Sequence, residues 1–194
     1  MPSTKTESRR ADAERNVEAI LEAAAELLAD RPNVSMADVA RAAGLVRATL
    51  YAHFPSRRDL IEAVVDHAVA ESTARMDDAR IDEGPAEEAL GRMIDASWAV
   101  LNRHRALAET ALETIGHAEL QGRHWPLLDR VQALIERGQA EGAFRDDLPA
   151  NWLVATIFGL IHTARDEANA GRLAPEDAST VLKATIGAAL HSKR

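Results

Sequence analysis

At 194 residues, 46% hydrophobic and 28% charged, the chain is long enough to bury a core and too apolar to remain disordered. It has no cysteine, which excludes disulfides, zinc–thiolate sites and thiol nucleophiles, and which fits a reducing cytoplasm. The net charge of −8 weighs against a phosphate-bearing partner, but nine Lys and Arg stand against eight Asp and Glu through Arg58, so the acid lies mostly beyond that point. From Arg41 to Arg58 there are four arginines and no carboxylate, enough for a locally basic face.

Alanine, leucine, glutamate and arginine dominate, and these residues lose least on entering a helix, so the expected fold is all-α. The opening residues lack the apolar core of a secretory signal, and no apolar stretch approaches the roughly 20 residues of a membrane span. Val17, Ile20, Leu21, Ala24, Leu27 and Leu28 recur with helical period and predict a first helix over about Asp12 to Ala29. Arg31-Pro32-Asn33 ends it. Ser35 with Asp38 forms a capping box that opens a short second helix, about Met36 to Ala43, and Gly44 supplies its left-handed stop. A third short helix over Val46 to His53 can begin at once.

Phe54-Pro55 ends the third helix, and Ser56 with Asp59 is a second capping box opening a long helix of about two dozen residues, to the break at Asp82-Glu83-Gly84-Pro85. Five further helical segments follow. The first carries Leu90, Met93, Ile94, Trp98 and Leu101, the second Ala108, Ala111, Leu112 and Ile115. Pro126 suits the first turn of the next, with Pro149 and Pro175 as similar starts. The last two segments show apolar residues on more than one face, which predicts a homodimer through about residues 150–190 rather than a monomeric bundle.

Two short capped helices around a glycine turn, about residues 35–54, have the dimensions of a helix-turn-helix. Arg47, Ala48, Thr49, Tyr51 and His53 fall on the polar surface of its second helix, with Leu50 and Phe54 facing inward. Periodicity alone leaves a plain helical hairpin equally open. At these residues the chain resembles the tetracycline-repressor (TetR) family of bacterial regulators. Residues Ile20 to Leu28 look like that family's first helix and Val39 to Leu45 its second helix and turn. Arg47-Ala48-Thr49-Leu50-Tyr51 followed by His53-Phe54-Pro55-Ser56 is similar to its recognition segment almost position for position, the likeness running from Ile20 to Ala63. Glu136 to Arg145 resembles a helix end found in many members.

The resemblance implies a three-helix DNA-binding domain, residues 1–58, joined by the long helix to a helical-bundle domain for ligand sensing and dimerisation, residues 59–194. It implies that Ser35, Thr49, Tyr51, His53 and Arg57 hold phosphates while Arg47 and Ala48 face bases of a near-palindromic double-stranded operator. Val46 stands where Ser or Thr is common and Ala52 where many members have a long polar residue, so base preference is expected to differ. Arg9 and Arg10 are either a minor-groove arm or an unstructured basic tail.

No catalytic motif is present, no cofactor is implied, and an enzyme is not expected. The chain therefore reads as a transcriptional repressor released by a small-molecule effector. Effector candidates are Met93, Trp98, Leu101, Leu107, Leu112 and Trp125, with His104 or His117 as polar anchors, against the reading that all are core. Two alternatives stand beside it: an acidic helical protein-interaction module without specific DNA binding, and a metal-responsive member of the family using Glu113 and His117 with His104 or His124.

Overall fold

A computed structural model describes residues 4–30, 33–104 and 107–191. Among them are nine α-helices and no strand: α1 (Thr4–Asp30), α2 (Met36–Ala42), α3 (Arg47–His53), α4 (Arg57–Asp78), α5 (Ala86–Arg103), α6 (Leu107–Ile115), α7 (His117–Ala140), α8 (Ala150–Asn169) and α9 (Ala178–Leu190). The all-α expectation holds. Two compact units emerge, one from Met1–Ala68 with Ala106–Leu120, the other from Val69–Arg105 with Gln121–Arg194.

In the first unit α1 packs on α2 and α6, and α2 on α3. Ile20, Ala24 and Leu28 from α1, Val39 and Ala40 from α2, Leu50 from α3, and Leu60, Ile61 and Val64 from α4 are buried, as are Leu107, Ala111 and Ile115 of α6. Burying each of these Val, Leu and Ile side chains contributes about 1.5–3 kcal/mol, the main force holding helices as short as α2 and α3. The second unit centres on α5, α8 and α9, which pack on one another. Met93, Ile94, Trp98, Ile135, Leu153, Ile157, Leu182 and Ile186 fill its core.

Three expectations are corrected. The first helix begins at Thr4, eight residues ahead of Asp12. Its start has no apolar stripe in the sequence for periodicity to detect, and pairs such as Arg10 with Glu14 (3.0 Å) support it instead. Pro126 lies inside α7 rather than at a helix start. The break falls at Gly116 (φ +84°), and Pro126, whose fixed φ is helical, only withholds the N–H that would reach Gly122 one turn earlier. The long helix ends at Asp78, short of the Asp82–Pro85 break, and the chain turns through Arg80 (φ +49°) and Gly84. Arg92 donates to the carbonyls of Ala79 (2.7 Å), Arg80 (2.9 Å) and Glu83 (2.6 Å), satisfying groups that the turn leaves open. Arg31-Pro32, the expected end of α1, lies outside the described residues.

Candidate nucleic-acid interface

The capping box at α2 is formed. The Asp38 N–H donates to Ser35 Oγ (3.2 Å), and the Ser35 N–H donates back to the Asp38 carboxylate (3.3 Å). At the other end the Gly44 N–H reaches the Arg41 carbonyl (3.2 Å) and the Leu45 N–H the Ala40 carbonyl (2.8 Å), with Gly44 at φ +69°. That bond pair needs a left-handed residue, which glycine adopts without a Cβ penalty. The turn then delivers Val46 as the N-cap of α3, its carbonyl accepting from Thr49 (3.0 Å) and Leu50 (3.3 Å).

On α3, Leu50 is fully buried and Phe54 nearly so, which fixes the inward face. Arg47, Ala48, Tyr51 and Ala52 are exposed on the outward one, while Thr49 and His53 flank it half-buried. Phe54-Pro55 releases the chain into the second capping box, where the Ser56 N–H donates to Asp59 (2.8 Å) and the Asp59 N–H to Ser56 Oγ (3.2 Å). Arg57 follows as the first residue of α4. The structure thus brings Ser35, Arg47, Ala48, Thr49, Tyr51, His53 and Arg57 onto the surface of one unit.

The four arginines of the basic stretch do not act alike. Arg41 is exposed and 3.3 Å from Asp38. Arg47 is exposed and pairs with no carboxylate among the described residues. Arg58 instead binds Glu62 (2.7 Å), Glu119 (2.5 Å) and the Thr114 carbonyl (2.9 Å), clamping the start of α4 to the α6–α7 junction. Counting charge from sequence credits Arg58 to the basic face; its partner Glu62, one turn along the same helix, was the available sign to the contrary. Arg10 pairs with Glu14 as a turn of α1, and the side chain of Arg9 lies outside the described residues.

The effector candidates divide between the two units. Leu107, Leu112 and His117 belong to the first unit, and Met93, Trp98, Leu101, His104 and Trp125 to the second. Met93 and Trp98 are core, Trp98 donating to the Pro175 carbonyl (3.0 Å), and Leu101 packs against that core. Leu112 and Trp125 are exposed. His104 is buried against Glu71 (3.0 Å), whose carboxylate also meets Arg75 and Arg103. Burial pushes the Glu71 carboxyl up, but hydrogen bonds from His104 and Arg75 and the Arg103 charge outweigh it and hold it below its ordinary value. A shallow groove of the second unit is lined by Arg75, Asp78, Arg92 and Asp95 and by none of the expected effector residues. Among the described residues no three His, Cys, Asp or Glu gather as a metal ion requires.

Residues 20–64 match the family model described as bacterial regulatory proteins, tetR family. Over 83 residues the chain is 39% identical to the HTH-type transcriptional repressor LfrR of Mycolicibacterium smegmatis, a match covering 43% of this chain and 44% of LfrR, less than half the length of either. The HTH-type transcriptional regulator NfxB of Pseudomonas aeruginosa is 26% identical over 86% of this chain and 89% of its own. Among solved structures, LfrR in complex with proflavine superposes with a TM-score of 0.74 at 23% identity, covering 93% of this chain and 98% of that one. FadR of Bacillus subtilis in complex with stearoyl-CoA gives 0.73 at 18%, covering 90% and 99%. Recognition segment, fold and relatives agree: over residues 20–64 the chain carries the segment that the tetR family model of bacterial regulatory proteins describes, on a fold shared with solved TetR-like regulators.

Proposed function

We propose that the protein is a sequence-specific transcriptional repressor that binds a near-palindromic operator as a homodimer and is released by a small molecule. The observation that carries this reading is α3, anchored inward by Leu50 and Phe54 while it offers Arg47, Ala48 and Tyr51 to solvent. In this arrangement Arg47 and Ala48 face base edges, and Ser35, Thr49, Tyr51, His53 and Arg57 hold phosphates. Two copies would place their readers about 34 Å apart, in successive major grooves.

Pairing through the last two helices is supported by what they expose. On α8 these residues are Trp152, Ala155, Gly159 and Thr163, and on α9 Val181, Ala184, Thr185 and Ala188. Each set repeats at helical spacing; Trp152 offers a large apolar surface, and the small side chains after it let two backbones approach closely. For the switch, α4 contributes Arg57–Ala68 to the first unit and continues into the second, so it is the covalent route by which an effector near Met93, Trp98 and Leu101 would alter the reader. Proflavine and stearoyl-CoA, bound by two relatives in fold, are the first compounds to titrate against operator affinity.

The deciding experiment is selection of duplexes from a random pool by the purified chain, with Tyr51→Ala as control. Enrichment of a near-palindrome that the control does not select supports the reading. Enrichment indifferent to Tyr51, or none, overturns it in favour of an acidic protein-interaction module.

A further inference from the structure

We propose that Val46 is a specificity-determining residue that reads the 5-methyl group of thymine in the major groove; the inference rests on the DNA-binding reading above. Among the described residues Val46 is the most exposed of the large hydrophobic side chains, at 69%. A solitary surface valine needs no explanation. This one sits at the N-cap of the reader, where Ser, Thr, Asp or Asn would bond a free N–H and valine is among the poorest choices, and it makes no side-chain cap bond. The position thus gives up a local stabilisation and shows apolar surface to water.

Its neighbours define what such surface could meet. The N-terminal residues of a helix lying in the major groove are those that contact base edges. Val46 is followed there by exposed Arg47 and Ala48. Its two methyl groups can neither donate to a phosphate nor to a base nitrogen, and the one apolar feature of the major-groove edge is the thymine methyl. A β-branched side chain is stiff about its first torsion, so little freedom is lost on contact. Where a hydroxyl at this position would bond the helix or a phosphate, the valine exchanges that bond for a base preference.

The test uses the duplex that the full-length chain enriches from a random pool. Each thymine of a half-site is replaced in turn by deoxyuridine, which keeps Watson–Crick pairing and removes only the methyl. One position per half-site is expected to weaken wild-type binding about fourfold per methyl lost, and about fifteenfold when both half-sites are changed. V46A, and V46S in which a cap hydroxyl is restored, should bind the thymine duplex more weakly by a similar factor and be indifferent to uracil at that one position. Circular dichroism checks that the variants stay folded, as an exposed position allows. The proposal is overturned if V46A keeps every uracil penalty of the wild type, if no thymine matters, or if the half-site contains none. A chain that enriches no duplex at all removes the DNA-binding reading itself, a result distinct from a flat uracil scan.

Discussion

Phe144 lies with its ring against the backbone of Gly138, so that a Cβ added there would collide with three ring carbons. The ring is buried and cannot swing away, being held by the turn through Gly142 (φ +71°), where the Ala143 and Phe144 N–H groups both bond the Gly138 carbonyl at 2.9 and 3.0 Å. Gly138→Ala should therefore destabilise the second unit by about 1–3 kcal/mol despite alanine's better helix propensity, measured by urea unfolding. Gain of stability would mean that the ring has room to move. His162 carries the clearest pH signature. Burial, then the charges of Arg165 and His124, lower its value to about 4 against a small opposing effect of Asp166, and Arg165 donates to its Nδ1 at 2.9 Å. Because the folded form resists a proton that the unfolded form accepts near 6.5, stability is fully present above pH 6.5 and falls as pH drops toward 4, by up to about 3 kcal/mol. His162→Gln should flatten that limb in denaturation series between pH 7 and 4.5, above the range where depressed carboxyls such as Glu71 and Asp95 begin to matter.

Between elements, the helix ends of the reader are set by bonds made within a few residues, and for that reason they could be read in advance. Both capping boxes, the Gly44 stop and the Phe54-Pro55 exit stand where spacing put them, and Leu50 and Phe54 face inward as the period required. Ser35→Ala, which removes the cap of α2, is expected to cost about 1 kcal/mol and a few degrees of thermal midpoint while leaving far-UV ellipticity below the transition unchanged. A loss near zero would show that tertiary burial alone holds α2. Features resting on distant partners were not legible. Arg58 meets Glu119, 61 positions along the chain, and no local pattern announces it. Pro126 misled for the opposite reason: proline is a strong local signal for a helix start, and the packing of Leu127, Val131, Leu134 and Ile135 in the core carries α7 through it. Hydrophobic period likewise marked Met93, Trp98 and Leu112 alike, although two are core and one is exposed, since a period reports a face and not what covers it.

For the whole molecule, the proposed reading makes operator recognition depend on a dimer. Ala184→Glu places a carboxylate on the exposed face of α9, where a two-fold interface would set it near its own copy. The expected result is a dimer dissociation constant raised at least about tenfold in sedimentation equilibrium, with operator affinity falling in parallel and helix content unchanged. A variant that dimerises like the wild type would place the interface elsewhere. The clamp of Arg58 on Glu119 and Thr114, together with buried Leu107, Ala111 and Ile115, has a consequence for how the molecule can be taken apart. The chain enters the reading unit twice, and the second visit supplies α6, which packs on α1. A chimera that grafts only the first 68 residues onto another regulator leaves that helix behind, and would carry the reader's surface without part of its foundation; a transplant has to bring residues 106–120 with it.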